Sequence, residues 1–337
     1  MAVLGLDIGG ANLKAATSEG AALSVPFALW KTPETLSREL KELASRLPAC
    51  SQIAVTMTGE LADCFATKAE GVDQILNAVE DLAAGRPVGV WTTAGRFVPA
   101  RAARPQWKLV AAANWHGLAT WASRFAEQES AVLLDIGSTT TDIIPISADG
   151  PCTRGHTDLG RLLNGELVYT GVRRTPLCAV ARTVSIDGTA WPLAAELFAT
   201  TLDLYLLTGQ IAESRDDCET ADGRSATVEC AQQRLCRTFC CDATELTTHQ
   251  LLEIARQLIA AQQQQIRQAL DHVLTSLPAP AKRLILSGSG AFAAHQVVNS
   301  MRVLESMTRI DLPRHLSPQI ADSAAAFAVA TLLAESQ

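Results

Sequence analysis

Two short strings have the residue types and spacing to hold an anion between them. Leu6-Asp7-Ile8-Gly9-Gly10, with Asn12 and Lys14 just beyond, sets an aspartate at the end of an apolar run and follows it with glycine. Leu134-Asp135-Ile136-Gly137-Ser138-Thr139-Thr140-Thr141-Asp142 does the same about one domain length later. Glycine there lets the chain reverse sharply and lets backbone N–H groups approach an anion with no Cβ in the way. The hydroxyls of Ser138, Thr139, Thr140 and Thr141 add side-chain donors for phosphate oxygens. Asp7 and Asp135 are the residue type that holds Mg²⁺ or accepts a proton. One such turn alone is also what an ordinary β-hairpin needs. Two facing each other would clamp a polyphosphate from both sides. A third string, Ser287-Gly288-Ser289-Gly290, follows an apolar strand, and Gly288 and Gly290 would leave bare backbone for a flat adenosine-like group. By itself it is equally an ordinary strand-to-helix turn.

The elements that must position these residues follow from hydrophobic periodicity. Val3 to Ala16 reads as a strand, a glycine turn and a second strand, and Val132 to Ile146 repeats the pattern. The shared apolar lead, Asp-Ile-Gly and apolar exit indicate an internal duplication. Ile53–Met57 reads as a buried strand delivering Thr58-Gly59-Glu60 to its end, and Pro87–Trp91 as another. Helical spacing runs over Pro33–Leu47, Gly71–Ala84, Ala111–Glu127, Leu193–Thr208, Thr227–Cys240 and Leu251–Leu277. The Gln262–Gln265 run in the last of these reads as a solvated face. Pro278-Ala279-Pro280 breaks the chain before the strand Arg283–Leu286, and an alanine-rich helix starts at Pro318.

The composition sets bounds on these readings. The chain has 337 residues, room for about two domains, with 48% hydrophobic and 19% charged residues, so it is neither disordered nor fibrous. A net charge of −7 disfavours a general grip on nucleic acid or on an anionic membrane surface. Ala324–Ala334 is far too short to span a bilayer, and Met1–Asp7 lacks the basic start of a signal peptide. Nine scattered cysteines fit reduced thiols in the cytoplasm. Four of them, Cys230, Cys236, Cys240 and Cys241, cluster at spacings that match no zinc knuckle; buried small residues or a metal or redox role both remain open. Trp107, Trp115 and Trp121 read mainly as packing, and His116 as a packed or capping residue as readily as a catalytic one.

The three glycine strings, in this order and across essentially the whole chain, resemble the two phosphate motifs and the adenosine motif of the actin/Hsp70/sugar-kinase superfamily. The Thr140-Thr141-Asp142 ending looks most like its hydantoinase/oxoprolinase branch. The resemblance implies an α/β fold: two duplicated actin-like, ribonuclease H-like ATPase domains with mixed five-stranded sheets and an interdomain cleft. The first domain would span 1–130 and the second, with a helical insertion, 131–317. A C-terminal helix over 318–337 would be free to pack back on the first. A sugar kinase of this superfamily carries a further catalytic aspartate near its sugar loop; none stands out here, which counts against that activity.

A narrower resemblance rests on Ala54–Leu61, Ala113–Ala119 and, most specific, Gly165-Glu166-Leu167-Val168-Tyr169-Thr170-Gly171-Val172-Arg173-Arg174-Thr175-Pro176. These are similar to tetrahydromethanopterin-linked C1-transfer pathway proteins, a family with bacterial members and an archaeal methanofuran-biosynthesis enzyme that joins a furan-methyl diphosphate to a phenol. The resemblance implies a transferase on a phosphorylated or diphosphorylated small molecule, displacing diphosphate with an amine or phenol. Catalysis would fall to Asp7, Asp135, Glu60 and Asp142, with Asp7 and Asp135 holding Mg²⁺. Phosphate or nucleotide would meet Gly9, Gly10, Asn12, Lys14, Gly137, Ser138, Thr139, Thr140, Thr141, Gly288 and Gly290. Thr58, Glu166, Arg173 and Arg174 would meet substrate. Lys14, Arg173 and Arg174 offer cations for the leaving group, and Glu60, Asp142 and Glu166 offer bases. Each of these also has a bland reading: a solvated strand lysine, a surface arginine turn, a helix-start glutamate. The alternative is an ATP-dependent kinase or ATP-driven hydantoinase/oxoprolinase-like enzyme; a nucleotide-switch scaffold is a third reading. The protein is expected in the cytoplasm as a monomer or homodimer.

Overall fold

The computed structural model describes residues 2–336. The first sheet is built from β1 (Val3–Ile8), β2 (Asn12–Thr17), β3 (Ala22–Pro26), β4 (Gln52–Met57), β5 (Val88–Thr92) and β6 (Arg96–Pro99), in the order β3-β2-β1-β4-β5-β6. The second sheet takes β7 (Ala131–Ile136), β8 (Thr141–Ser147), β9 (Gly150–Pro151) and β10 (Leu167–Val168). After a separate hairpin of β11 (Thr183–Ile186) and β12 (Thr189–Pro192), it is completed by β13 (Arg283–Ser287) and β14 (Thr308–Asp311). Its order is β10-β8-β7-β13-β14, with β9 also paired to β8. In both sheets the central strand, β1 or β7, pairs antiparallel with its hairpin mate and parallel with the strand on its other side. The expected α/β class and mixed sheets are present. Each sheet carries one strand beyond the expected five, and in the first this is β6, folded back antiparallel on β5.

Both central strands are buried on both faces, which is why they read as unbroken apolar runs rather than alternating ones. One face of the first sheet packs on helices Leu36–Ser45 and Lys68–Ala83, through Leu36, Leu40 and Leu43 and through Val72, Ile75, Leu76 and Val79. One face of the second sheet packs on helices Thr248–Ser276 and Ala291–Asn299. Between the sheets lie helices Asn114–Ala122 and Ala324–Glu335. They touch the second sheet through Trp115, Leu118 and Ala328, and the first through Val329 and Ala330. The approach is close enough that a Cβ at Gly5 on β1 would overlap the Ala326 carbonyl oxygen. The last helix therefore packs on the strand that opens the chain, and an Arg124–Glu335 ion pair at 3.1 Å pins its end.

Two local readings are corrected. The helix expected over Leu193–Thr208 forms only over Thr201–Leu207, because Thr200 and Asp203 make a capping box that starts it there. The residues upstream form an irregular, bent segment, tied at its end by Leu177 N–H donating to the Ala199 carbonyl at 3.1 Å. The alanine-rich segment from Pro318 is likewise two helices, Pro318–Asp322 and Ala324–Glu335, divided at the buried Ser323.

Candidate active site

Asp7 and Asp135 occupy equivalent places, one residue before the end of β1 and of β7. On the parallel neighbour each faces a hydroxyl residue, Thr56 for Asp7 and Ser287 for Asp135. On the hairpin mate they differ: Asp7 faces Lys14, whereas Asp135 faces Asp142. Burial pushes the Asp7 carboxyl above the ordinary aspartate range against the opposing pull of Lys14. Asp135 is pushed up to about 7 by burial first and by Asp142 second; Lys14 and Asp7, both on the first sheet, also act on it, in opposite directions. Charges on the first hairpin thus reach the aspartate of the second, so the two hairpins lie near one another. Each aspartate keeps its Oδ1 buried with no hydrogen-bond partner.

The turns are closed in the same way: Gly9 N–H donates to the Asn12 carbonyl at 3.0 Å, and Gly137 N–H to the Thr140 carbonyl at 2.9 Å. These two N–H groups therefore serve the turns. The N–H groups of Gly10, Ser138 and Thr139 have no protein acceptor among the described residues and remain as donors. Space beside the Gly10 Cα is open. Behind each turn the next parallel strand leans on the same carbonyl. The N–H groups of Thr58 and Gly59 both donate to the Ile8 oxygen at 2.9 Å, and Gly290 N–H donates to the Ile136 oxygen at 2.8 Å. Thr58 thereby flanks the first turn and Gly290 the second. Gly288 has φ +88°, and a Cβ there would run into the Ile136 carbonyl and the Asp135 carboxyl, so the turn admits only glycine.

Glu60 lies fully buried just past Thr58-Gly59, its Oε2 unpartnered. Desolvation raises it to about 7, although Lys68, whose Nζ is 4.0 Å away, pulls the other way. Lys68 opens helix Lys68–Ala83, whose N-cap Thr67 accepts from Glu70 N–H. The same ammonium lies 3.8 Å from Asp158, which pairs with Arg161 at 3.0 Å. Arg161 is buried, joined also to Asp142 at 2.5 Å, with its guanidinium 4.4 Å from the Trp115 ring centroid. A chain of alternating charge therefore runs from Glu60 on the first lobe through Lys68, Asp158 and Arg161 to Asp142 on the second. Lys68, Asp158 and Arg161 were not singled out from sequence: nothing in their spacing marks them, since the chain is assembled from four separate elements.

The Gly165–Pro176 segment is welded to the second turn. Val172 N–H donates to the Gly137 carbonyl, and Arg173 and Arg174 N–H both donate to the Ser138 carbonyl, all at 3.0 Å. Thr141 Oγ1 donates to the Thr170 carbonyl at 2.8 Å. Gln262 Nε2 donates to Thr170 Oγ1 at 2.9 Å and to the Gly171 carbonyl at 2.8 Å, while its Oε1 accepts from the Tyr205 hydroxyl at 2.7 Å. This corrects the solvated reading of the glutamine run: Gln262 is 1% exposed and braces the turn from behind. Glu166 spends both carboxylate oxygens on the backbone N–H groups of Arg154 and Gly155, at 2.6 and 2.8 Å. Arg173 is paired with Asp217, whereas Arg174 is exposed and lies over Trp30 of the first lobe, 5.3 Å from the ring centroid.

The remaining candidates are packing residues or line another surface. His116 is buried between Trp91 and Trp115, and burial lowers it to about 4. Trp115 and Trp121 are core residues. Cys236 is fully buried, and Cys240 and Cys241 line a separate depression of about 420 Å³ with Trp191 and Phe239 on the second lobe. Among the described residues no group of three or more His, Cys, Asp or Glu side chains is placed to hold a metal, and no helix is long and apolar enough to cross a membrane.

The hydantoinase/oxoprolinase family model matches residues 52–336. A (4-{4-[2-(gamma-L-glutamylamino)ethyl]phenoxymethyl}furan-2-yl)methanamine synthase of Methanocaldococcus jannaschii is 36% identical over 274 residues, covering 80% of this chain and 81% of that protein. The synthase of the same name from Methanococcus vannielii is 37% identical over 127 residues, covering 38% of this chain and 57% of that protein. Among solved structures, component A of the (R)-2-hydroxyglutaryl-CoA dehydratase of Acidaminococcus fermentans aligns over 98% of this chain and 97% of its own, at 12% identity and a TM-score of 0.45. On the match over residues 52–336 and the identity to a synthase across most of both chains, this protein belongs to the hydantoinase/oxoprolinase family and is an enzyme.

Proposed function

We propose that this enzyme is a transferase that displaces diphosphate from an aryl- or furan-type methyl diphosphate with a phenol or amine acceptor, in the biosynthesis of a methanofuran-like C1 carrier. One observation carries the reading: Asp7 and Lys14 of one glycine hairpin lie close enough to Asp135 of the other for their charges to act on it. The relative's name describes a phenoxymethyl-furan product, which supports an oxygen acceptor and a furan-methyl donor.

In this reading the diphosphate lies between the turns, taken by the N–H groups of Gly10, Ser138 and Thr139 and the hydroxyls of Ser138 and Thr139. Lys14 and Arg174 add positive charge where the leaving group gathers negative charge. The bond from the ring's methylene carbon to the diphosphate oxygen breaks, and its electron pair leaves with the diphosphate. The acceptor oxygen or nitrogen supplies the pair for the new bond to that carbon and gives up its proton to Glu60. Glu60 is the base we favour, because Glu166 is spent on backbone N–H groups and Asp142 on Arg161. A buried carboxylate near pKa 7 suits proton uptake at neutral pH. Asp7 Oδ1 and Asp135 Oδ1, buried and unpartnered, are the residues that would hold Mg²⁺, which takes one or two carboxylates from protein. Bound there, Mg²⁺ would neutralise charge on the departing diphosphate.

The test is calorimetric titration with inorganic diphosphate and with ATP, each with Mg²⁺, together with an assay of diphosphate release from furfuryl diphosphate and a phenol. Diphosphate binding and acceptor-dependent release are expected, both lost in Asp135→Asn. Absence of diphosphate binding overturns the reading, and ATP hydrolysis that needs no aryl diphosphate points instead to an ATP-driven enzyme of the same family.

A further inference from the structure

Trp30 is partly exposed and has no role in the chemistry above. It follows directly on Leu29, whose N–H donates to the Gly10 carbonyl at 2.9 Å, so the backbone of the first glycine turn sets where the indole sits. Opposite it is Arg174, fixed by its own N–H on the Ser138 carbonyl of the second turn. The guanidinium lies 5.3 Å from the indole centroid. It has no carboxylate partner among the described residues, in contrast to Arg173, which is paired with Asp217. Trp30 is 36% exposed, among the exposed large hydrophobic residues of the chain, and the space beside Gly10 is open. The indole and the guanidinium are thus each tethered to one of the two glycine turns and meet one over the other between them. A cation lying on an exposed aromatic face is held weakly, so another flat group can take its place.

We infer that Trp30 determines substrate specificity: its indole is the platform for the planar ring of a ligand whose phosphate end rests on the two turns, with Arg174 moving from the indole to cover that ring or its phosphate. The substrate class this selects is an aromatic or heteroaromatic methyl phosphate or diphosphate, in preference to an aliphatic one. The inference rests on the transferase reading for the position of the phosphate end and adds what recognises the organic end.

The experiment compares wild type, Trp30→Phe and Trp30→Ala by titration with three probes in the presence of Mg²⁺: inorganic diphosphate, methyl diphosphate and furfuryl diphosphate. Wild type is expected to bind furfuryl diphosphate about 10-fold more tightly than methyl diphosphate, the scale of one aromatic stack. Trp30→Phe should keep most of that preference. Trp30→Ala should abolish it while its affinity for inorganic diphosphate stays within about 2-fold of wild type, which also shows that the turns are folded. A preference that survives in Trp30→Ala overturns the inference. So does a loss of inorganic diphosphate binding in that variant, since Trp30 would then be shaping the turn and not reading the ring. If wild-type protein binds no inorganic diphosphate, the transferase reading fails and takes this one with it; if it binds diphosphate but shows no preference for the ring, only this inference fails.

Discussion

Glu60 allows a quantitative test because its burial acts on stability as well as on chemistry. Its carboxyl is 1% exposed, and desolvation lifts it from an ordinary value of 4.5 to about 7 despite Lys68 nearby. Below pH 4.5 the folded and unfolded chains both carry the proton. Between 4.5 and 7 the folded chain keeps a proton that the unfolded chain has released, so unfolding becomes easier as pH rises through this window. Above 7 both forms are ionised and the stabilisation is gone. The gap between 4.5 and about 7 corresponds to about 3 kcal/mol. Glu60→Gln keeps the shape and removes the titration. It leaves a buried amide with incomplete pairing, a cost of about 1–3 kcal/mol that does not depend on pH. The difference in unfolding free energy between wild type and Glu60→Gln should therefore change by about 3 kcal/mol from pH 4 to pH 8, moving in favour of the variant. Asp135 also titrates near 7, but it is common to both proteins and cancels from the difference. Urea unfolding at four pH values measures this directly. Parallel curves for the two proteins would refute the argument that Glu60 is held protonated by burial. The same variant should lose the lower limb of the pH profile of transfer if Glu60 takes the acceptor's proton.

Other substitutions separate the shape of the turns from their donors. Gly171→Ala would set a Cβ 2.5 Å from the Gly137 carbonyl and the Thr139 nitrogen, both backbone, and should cost about 1–3 kcal/mol in denaturant unfolding along with diphosphate affinity. Gly10→Ala meets nothing within 4 Å, so it should unfold like wild type while binding diphosphate more weakly in a titration, because the new methyl enters the space left for the anion. Arg161→Met leaves Asp142 and Asp158 without their shared cation and should destabilise by about 3–5 kcal/mol at pH 7, with the loss shrinking at pH 4 as Asp142, already raised by burial, takes up a proton. Thermal or urea unfolding at the two pH values decides it.

Much of this protein could be read from its chain alone. Two Asp-Ile-Gly strings between apolar runs are strand-turn-strand by local physics: strands buried on both faces must be continuously apolar, and sharp reversals favour glycine. These local rules pick out Asp7, Asp135 and the two turns, while the fold class follows from the resemblance of the ordered glycine strings to the actin/Hsp70/sugar-kinase superfamily. Helix bounds near strong caps, such as Thr67 and Thr247, came within a few residues for the same reason. Tertiary structure decided what local rules do not encode. Gln262 looks solvent-facing in a glutamine run, yet it is buried because Thr170, Gly171 and Tyr205 arrive from distant segments to satisfy its amide. Lys68, Asp158 and Trp30 acquire meaning from partners brought over from the other sheet's side, and Arg161 from Asp142 on a separate strand and from Trp115. Which carboxylates remain free for chemistry was settled the same way: Glu60, Asp142 and Glu166 are alike as residue types, but hydrogen bonds from elsewhere in the fold engage the last two and leave Glu60 with an open oxygen. Hydrogen bonds and desolvation depend on what surrounds a group in space, and strand pairing brings together residues that the chain keeps far apart.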